Sequence, residues 1–325
     1  ASLINTIEDS SCLNLKSKTW YSTDTLNDYI DPLKWDFPTL NNSQVQELYP
    51  LAFLQYTSGS TGNAKGVQVL HNNIIINCAT IMETFTKLFK DNHSISYFKK
   101  FTITTFLPHW HDMGLIGYHI TPLLAAGKVA YMSPLTFVQH PVSFIKALNH
   151  FKYTATGLPC FALDLICKKI DPSFVKTLDL SNLNTIMLGA SPIIKKSLDQ
   201  FAHVFKDAKF NPNVFLPSYG LAENVLLASS NGSRDHFPHY IHINGDLLNK
   251  ENKIVKLTSN NIENLKYGRF LVASGHRNNF KNSKLDIKHS GGIIIVDPMT
   301  KIECKDGQVG EIWIAGPSIT NGYWK

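Results

Sequence analysis

The chain has 325 residues, of which 43% are hydrophobic and 17% charged. That supplies one large or two ordinary cores and excludes disorder, collagen-like repeats and small disulfide scaffolds. The net charge of +6 comes from 31 Lys+Arg against 25 Asp+Glu, but only Arg234, Arg269 and Arg277 are arginines, the usual readers of phosphates and bases, so nucleic acid is not an expected partner.

Short apolar runs at residues 51–56, 101–107, 128–132, 153–156, 185–188 and 214–216 predict buried strands. Helical spacing lies between several of them. After Asn72 or Asn73 as N-cap, Ile75, Ala79, Met82 and Phe89 recur on one predicted helical face. After Ser191 as N-cap and Pro192 in the first turn, so do Ile194, Leu198, Phe201 and Phe205. Alternating strand and helix predict an α/β fold. Residues 113–132, the most apolar stretch, are interrupted by His119, Pro122 and Lys128, so no transmembrane segment is expected. Residues 229–290 turn polar and weakly periodic before strand-like sequence resumes, and this interval reads as an insertion. The expected organisation is a preceding subdomain and linker at 1–50, an α/β core at 51–228, the insertion at 229–290, and a β subdomain beginning at 291–325. Cys12, Cys78, Cys160, Cys167 and Cys304 form no CxxC pair and no zinc-spaced Cys/His array, which predicts reduced thiols and a cytoplasmic setting.

The sharpest local signal is the string Tyr56-Thr57-Ser58-Gly59-Ser60-Thr61-Gly62-Asn63-Ala64-Lys65-Gly66 directly after the first apolar run. Glycines let backbone N–H groups turn toward phosphates, hydroxyls add neutral donors, and Lys65 supplies a mobile positive charge. The spacing is not that of Walker A, because Ala64 precedes the lysine and Gly66 follows it. A surface turn rich in small residues is the alternative for such a cluster taken alone.

This loop resembles the phosphate-binding signature of the adenylate-forming superfamily of acyl ligases, luciferases and peptide-synthetase adenylation domains. Three more strings resemble that family's motifs in the same order: His111-Asp112-Met113-Gly114-Leu115-Ile116-Gly117, then Gly189-Ala190-Ser191-Pro192, then Tyr219-Gly220-Leu221-Ala222-Glu223. A fifth runs from Gly307-Gln308-Val309-Gly310-Glu311 to Gly322-Tyr323-Trp324. The phrasing of Phe53-Leu54-Gln55-Tyr56-Thr57, Met132-Ser133-Pro134-Leu135 and Leu178-Asp179-Leu180-Ser181-Asn182-Leu183 is most similar to the fatty acyl-AMP ligases, whose characteristic insertion the 229–290 interval resembles. The resemblance implies the superfamily's N-terminal domain core: stacked, mostly parallel β-sheets flanked by helices, with the start of a small β-barrel subdomain. It also implies that the ribose-binding aspartate, the hinge and a small C-terminal domain with its adenylation lysine lie beyond Lys325, so the chain is expected to be part of a longer enzyme.

The implied activity is attack of a fatty carboxylate on the α-phosphate of ATP, giving acyl-adenylate and pyrophosphate, followed by transfer to an acyl carrier protein; a fatty acyl-CoA ligase, or a nucleotide-binding module without turnover, is the alternative. The resemblance assigns Thr57, Ser58, Gly59, Ser60, Thr61, Gly62, Lys65 and Gly66 to the β- and γ-phosphates, with Lys65 acting as a charge rather than a base. It assigns Gly189, Ala190, Ser191, Ser218, Tyr219, Gly220, Leu221 and Ala222 to the nucleotide, Tyr219 stacking on adenine. Glu223, with Thr57, would hold Mg²⁺, and His111 would gate the acyl pocket near the reacting carboxylate. Each also has a plainer explanation: Lys65 a solvated lysine, Glu223 a helix-start carboxylate, Ser191 a cap, His111 a satisfied structural histidine. Asp112 either orients His111 or caps the segment after it. The acyl chain needs an apolar wall, for which residues 113–117 and 157–162 are candidates. Two departures from the motifs are Ala64, where a proline is usual, and Ala222, where many relatives carry a hydroxyl.

Overall fold

The computed structural model describes residues 50–57, 64–87, 102–231, 236–257, 268–275 and 292–324. The chain divides after Leu48 into two units, and every described residue belongs to the second. Its strands are β1 (Leu51–Tyr56), β2 (Gly66–Leu70), β3 (Thr102–Thr105), β4 (Lys128–Tyr131), β5 (Ala155–Leu158), β6 (Thr185–Leu188), β7 (Phe215–Gly220), β8 (Leu227–Ser230), β9 (Tyr240–Asn244), β10 (Gly268–Val272), β11 (Gly292–Val296) and β12 (Glu311–Ala315). The helices are α1 (His71–Lys87), α2 (Thr121–Leu124), α3 (Pro134–Gln139), α4 (Pro141–Phe151), α5 (Cys160–Lys169), α6 (Pro172–Val175), α7 (Lys195–Val204) and α8 (Gly245–Glu251), with a π-helix over Met113–Ile120.

Six strands form the central sheet in the order β4-β3-β5-β6-β7-β8, parallel throughout except for the antiparallel β7–β8 pair. The chain leaves β3 for β4 on one side and returns to β5 on the other. In open α/β sheets such a reversal places the binding crevice at the carboxyl ends of the strands. The expected mostly parallel architecture is therefore present. The remaining sheets are antiparallel pairs, β1–β2, β9–β10 and β11–β12, the last lying in the region expected to begin a β subdomain.

Both faces of the central sheet are covered, which is why its strands read as continuous apolar runs rather than alternating ones. Ile186, Leu188 and Phe215 pack with Phe144, Leu163, Ile166, Leu198 and Phe201 on one face. Met187 and Leu216, one residue out of phase, pack with Val67, Cys78, Ile81, Met113, Ile116 and Tyr118 on the other. Gly157 shows how close that second layer lies: a Cβ there would sit 2.0 Å from the Tyr118 hydroxyl.

Two helical expectations are corrected. Helix α1 starts at His71, and Asn73 is inside it, not at its cap, with its Oδ1 accepting from Leu70 N–H at 3.1 Å. Its buried face is Ile74, Asn77, Cys78, Ile81 and Phe85, whereas Ile75 is exposed. The apolar run is wide enough to support either face, and the sheet selects the one carrying Asn77. Helix α7 begins at Lys195 after an Ile194 cap with no side-chain bond, so Ser191 and Pro192 lie in the approach to the helix. Leu198 and Phe201 are buried as expected, Phe205 lies buried at the C-cap, and Ile194 is exposed.

The interval read as an insertion carries structure of its own, β9 paired with β10 and α8 following β9. Lys195 ties it to the core. Its ammonium lies 2.6 Å from Asp199 and 4.5 Å from the centre of the Tyr240 ring, with Phe270 beside it at 5.4 Å. Among the described residues no helix is long and apolar enough to cross a membrane. Cys78, Cys160, Cys167 and Cys304 are unpaired thiols. Burial raises Cys78 and Cys160 and pushes Cys167 up to about 12, so these three are poor nucleophiles.

Asn77 is the polar residue on which this layer turns. Its Nδ2 donates to the carbonyls of Asn224 and Leu227 at 3.0 and 2.9 Å, and its Oδ1 accepts from Leu227 N–H at 3.0 Å. Asn77→Leu keeps the volume but strands the Leu227 N–H, an expected loss of about 2 kcal/mol, checked as a lowered urea midpoint at unchanged slope.

Candidate functional site

The first wall of the site is built by the turn that follows β3. Gln55, buried in β1, donates to the Trp110 carbonyl at 3.1 Å, and His111 N–H bonds back to Pro108 O at 3.2 Å. The π-helix then starts under Asp112, whose carboxylate accepts from Met113 N–H at 2.6 Å as the N-cap. The same oxygen lies 2.7 Å from His111 Nδ1. Asp112 thus both caps the helix and orients the imidazole. The Nδ1 proton faces Asp112, so Met113 N–H donates to the carboxylate rather than to the ring nitrogen 3.2 Å away. Nε2 is then the acceptor of the neutral ring. The hydrogen bond to Asp112 raises the His111 pKa, partly offset by burial and aided by the carboxylate's charge. Gly114 is required here, because a Cβ would stand 2.1 Å from the Pro108 carbonyl oxygen.

His111, Asp112 and Met113 face a cavity of about 200 Å³ whose other walls are Met187, Gly189 and Ala190 after β6, Ser218, Tyr219 and Gly220 of β7, and Leu226 and Leu227. Ala190 adopts a left-handed φ of 62°, turning the chain sharply at the end of β6. Gly220 admits no side chain, since a Cβ would lie 2.0 Å from Leu226 O. The Tyr219 phenol is raised by burial and then by the nearby charge of Glu223. One rim is therefore polar and small, and the other is made of methionine and leucine.

A second cluster gathers the β1–β2 hairpin and Glu223. Thr57 N–H bonds to Lys65 O at 3.0 Å, pinning the two ends of the loop between β1 and β2. Glu223 lies on a 3₁₀ turn followed by Val225 at φ 66°, ψ −58°, a γ-turn of the rare positive-φ type closed by Leu226 N–H to Asn224 O at 2.8 Å. Residues 317–324 strap both together. Thr320 N–H donates to Glu223 O at 2.9 Å, Ser318 Oγ to Asn224 Oδ1 at 2.7 Å, and Asn73 Nδ2 to Pro317 O and Ile319 O. Farther along, Gln68 N–H donates to Gly322 O and Trp324 N–H to Gly66 O, so the strap pairs with β2. The Tyr323 hydroxyl donates to Glu223 Oε1 at 2.6 Å, and the Lys65 ammonium stands 5.1 Å from the centre of the same ring. That bond to Glu223 raises the phenol's pKa first, with burial adding to it.

Of the residues expected from sequence, the structure brings His111, Gly189, Ala190, Ser218, Tyr219 and Gly220 to one cavity, and Lys65, Gly66 and Glu223 to the adjoining strap, with Thr57 joined to Lys65 through the main chain. Ser191 is exposed, and Ala222 is buried in the core with its side chain among apolar neighbours. The Leu221 N–H bonds to Leu226 O. Ser58, Gly59, Ser60, Thr61 and Gly62 lie outside the described residues. Of the candidate acyl walls only Met113 lines the cavity, while Met187, Leu226 and Leu227 do so unforeseen. Gln55, Asn77 and Tyr323 also escaped sequence reasoning. Asn73 and Asn77, one helical turn apart on a buried face, were the available signal.

Among the described residues no three His, Cys, Asp or Glu side chains converge as a metal cage. A single half-buried carboxylate at Glu223 with the Thr57 hydroxyl in the neighbouring hairpin fits Mg²⁺, a hard ion that takes most of its ligands from nucleotide phosphates and water. It does not fit a structural zinc site.

The pattern of the AMP-binding enzyme family matches residues 5–268. The chain is 31% identical over 293 residues to the medium-chain-fatty-acid–[acyl-carrier-protein] ligase JamA of Moorena producens, covering 90% of this chain and 44% of that protein. It is 33% identical over 281 residues to FadD21 of Mycobacterium tuberculosis, a putative fatty-acid–CoA ligase, covering 86% and 45%. The crystal structure of the fatty acyl-adenylate ligase from Legionella pneumophila in complex with acyl adenylate and pyrophosphate superposes with a TM-score of 0.70 at 33% identity, covering 84% of this chain and 43% of that one. The chain thus spans a little under half the length of these proteins.

Asp112→Asn keeps a capping oxygen but removes the carboxylate charge that faces His111, so the His111 pKa is expected to fall, followed by NMR of the ring protons. A raised folded pKa means that protonated His111 adds stability below about pH 6.5 and that this is lost as pH climbs through the folded value. The Asn variant should flatten that dependence. Gly114→Ala is expected to destabilise by about 2 kcal/mol or more, seen as a lower thermal midpoint with loss of the His111 signature.

Proposed function

The chain belongs to the AMP-binding enzyme family, and from that premise we propose that the whole protein carrying it activates a fatty acid with ATP. A carboxylate oxygen attacks the α-phosphorus and the bond to the β-phosphate breaks, leaving acyl-adenylate and pyrophosphate. The acyl group then passes to the phosphopantetheine thiol of an acyl carrier protein, with release of AMP. One observation supports this most: a single cavity joins a polar rim at His111, Gly189, Ser218 and Tyr219 to an apolar wall of Met113, Met187, Leu226 and Leu227. Such a cavity suits a molecule that is nucleotide at one end and alkyl at the other, the alkyl end contributing about 0.8 kcal/mol per buried methylene.

The chemistry asks for positioning and charge neutralisation rather than a protein nucleophile. Thr57 to Gly62, with Lys65 and Gly66, cradle the β- and γ-phosphates. Lys65 is a fixed positive charge for the leaving pyrophosphate. Gly189, Ala190 and Ser191 present backbone to adenine while Tyr219 stacks on it, and Ser218, Gly220, Leu221 and Ala222 hold that strand end in place. His111, turned by Asp112, borders the site where the carboxylate meets the α-phosphate and gates the acyl wall. Glu223 and Thr57 hold Mg²⁺, which when bound neutralises charge on the departing phosphates. The region of β9, α8 and β10 belongs to an insertion that hinders the domain rotation needed to use coenzyme A, favouring the carrier protein. The unpaired thiols accord with a cytoplasmic setting.

A second acceptor, coenzyme A, is favoured by the likeness to FadD21. Both readings are separated by mass detection of acyl-adenylate from the whole protein with ATP, Mg²⁺ and a panel of fatty acids. Acyl-adenylate should persist when coenzyme A is added and should fall about 100-fold or more in Lys65→Ala and Glu223→Ala. Conversion to acyl-CoA would move the assignment to the second acceptor, and no adenylate from folded, ATP-binding protein would reject the ligase altogether.

A further inference from the structure

We propose that Tyr323 is a positioning residue for the metal carboxylate: its hydroxyl holds Glu223 in the orientation that receives Mg²⁺, while its ring seats the Lys65 side chain. The inference rests on the functional reading of Glu223 and Lys65 given above and adds the residue that ties them together. Glu223 is on the 3₁₀ turn after β7 and Lys65 is at the end of the phosphate hairpin, far apart in sequence. They meet on one phenol, at 2.6 Å from hydroxyl to Glu223 Oε1 and 5.1 Å from ammonium to ring centre. A hydrogen bond that engages Oε1 leaves Oε2 to serve as the ligand atom and removes the rotational freedom of a glutamate that would otherwise have to be ordered on metal binding.

The tyrosine is itself well placed to bear this load. Its backbone pairs with β2 through the Val67 bridge, its carbonyl accepts from Gln68 Nε2 at 3.0 Å, and the flanking Gly322 O and Trp324 N–H bond to Gln68 and Gly66. Glu223 is fixed from the same strap by Thr320 N–H. Main chain and side chain of one segment therefore set both the position of the turn and the direction of its carboxylate. The Lys65–ring contact is of the cation–π type, which keeps the ammonium beside the loop without pairing it to Glu223 and so leaves both charges available to a metal–nucleotide complex.

The test uses the whole protein, with Mn²⁺ as the probe ion and a non-hydrolysable ATP analogue, and reads bound Mn²⁺ by electron paramagnetic resonance. Tyr323→Phe retains ring and strand pairing. It should weaken Mn²⁺ affinity about tenfold, with thermal midpoint, nucleotide affinity without metal and fatty-acid KM unchanged. Tyr323→Ala should weaken metal-free nucleotide binding as well, because Lys65 loses its seat. In a Glu223→Gln background, Tyr323→Phe should add nothing. Unchanged Mn²⁺ affinity in Tyr323→Phe, with Glu223→Gln impaired, overturns the positioning role and leaves the functional reading standing. Equal falls in midpoint and every affinity for Phe and Ala overturn it in favour of a purely structural tyrosine. Unchanged Mn²⁺ affinity in Glu223→Gln removes the functional reading of Glu223 and the role of Tyr323 with it.

Discussion

The buried amide of Asn77 is the constraint on which the geometry of the site depends. It reaches from α1 to both sides of the γ-turn at Val225, directly after Glu223, bonding Asn224 O, Leu227 O and Leu227 N–H. Between those anchors lies Val225, a β-branched residue at φ 66°. Backbone in such a region costs on the order of 1–3 kcal/mol and persists only where its surroundings over-determine it. Three hydrogen bonds from Asn77, each with a net worth of about 1 kcal/mol, are of the size needed to hold it. A relaxed turn there would carry Glu223 elsewhere.

From that point the polar network runs outward. Asn224 Nδ2 donates to Leu227 O at 2.8 Å and its Oδ1 accepts from Ser318, while Asn73, one turn before Asn77, donates to the strap at Pro317 O and Ile319 O. Helix α1 is thus less a covering helix than a rack of amides that joins the β1–β2 hairpin, the Glu223 turn and residues 317–324. The sheet supplies the other half of the site. Its parallel strands end together, and Gly189, Ala190, Ser218 and Gly220 let the backbone come close to whatever the cavity holds. Asp112 does double duty between them, since one carboxylate oxygen serves both a helix cap and the His111 ring.

Much of this was legible in the residues. Five strands of the central sheet follow from apolar runs bounded by turns, because strands buried on both faces need no alternation to be recognised; the run at 51–56 pairs in the β1–β2 hairpin instead, and the sixth strand, β8, is hidden by its polar Ser229-Ser230 end. What misled was choice among equivalent surfaces: the run from Ile74 to Phe85 offers two apolar faces, and only the packed sheet decides between Ile75 and Ile74. Ser191-Pro192 has the chemistry of a helix start but the chain turns first through Ala190 in left-handed backbone, delaying α7 to Lys195. Local strings marked His111, Tyr219 and Glu223 because each motif is contiguous. Tyr323 carries no local mark of a role, since its partner lies 100 residues earlier and no local period records such a pairing. Met187, Leu226 and Leu227 read as plain core, and they are core; the cavity opens along one side of them.

On the proposed function, the cavity at the carboxyl ends of β3, β6 and β7 receives both halves of an acyl-adenylate. Hydrogen exchange of the whole protein, with and without a non-hydrolysable acyl-adenylate analogue, tests it most directly. Protection is expected to be confined to residues 111–117, 187–190 and 218–227. Protection that leaves those segments unchanged while appearing elsewhere would contradict it.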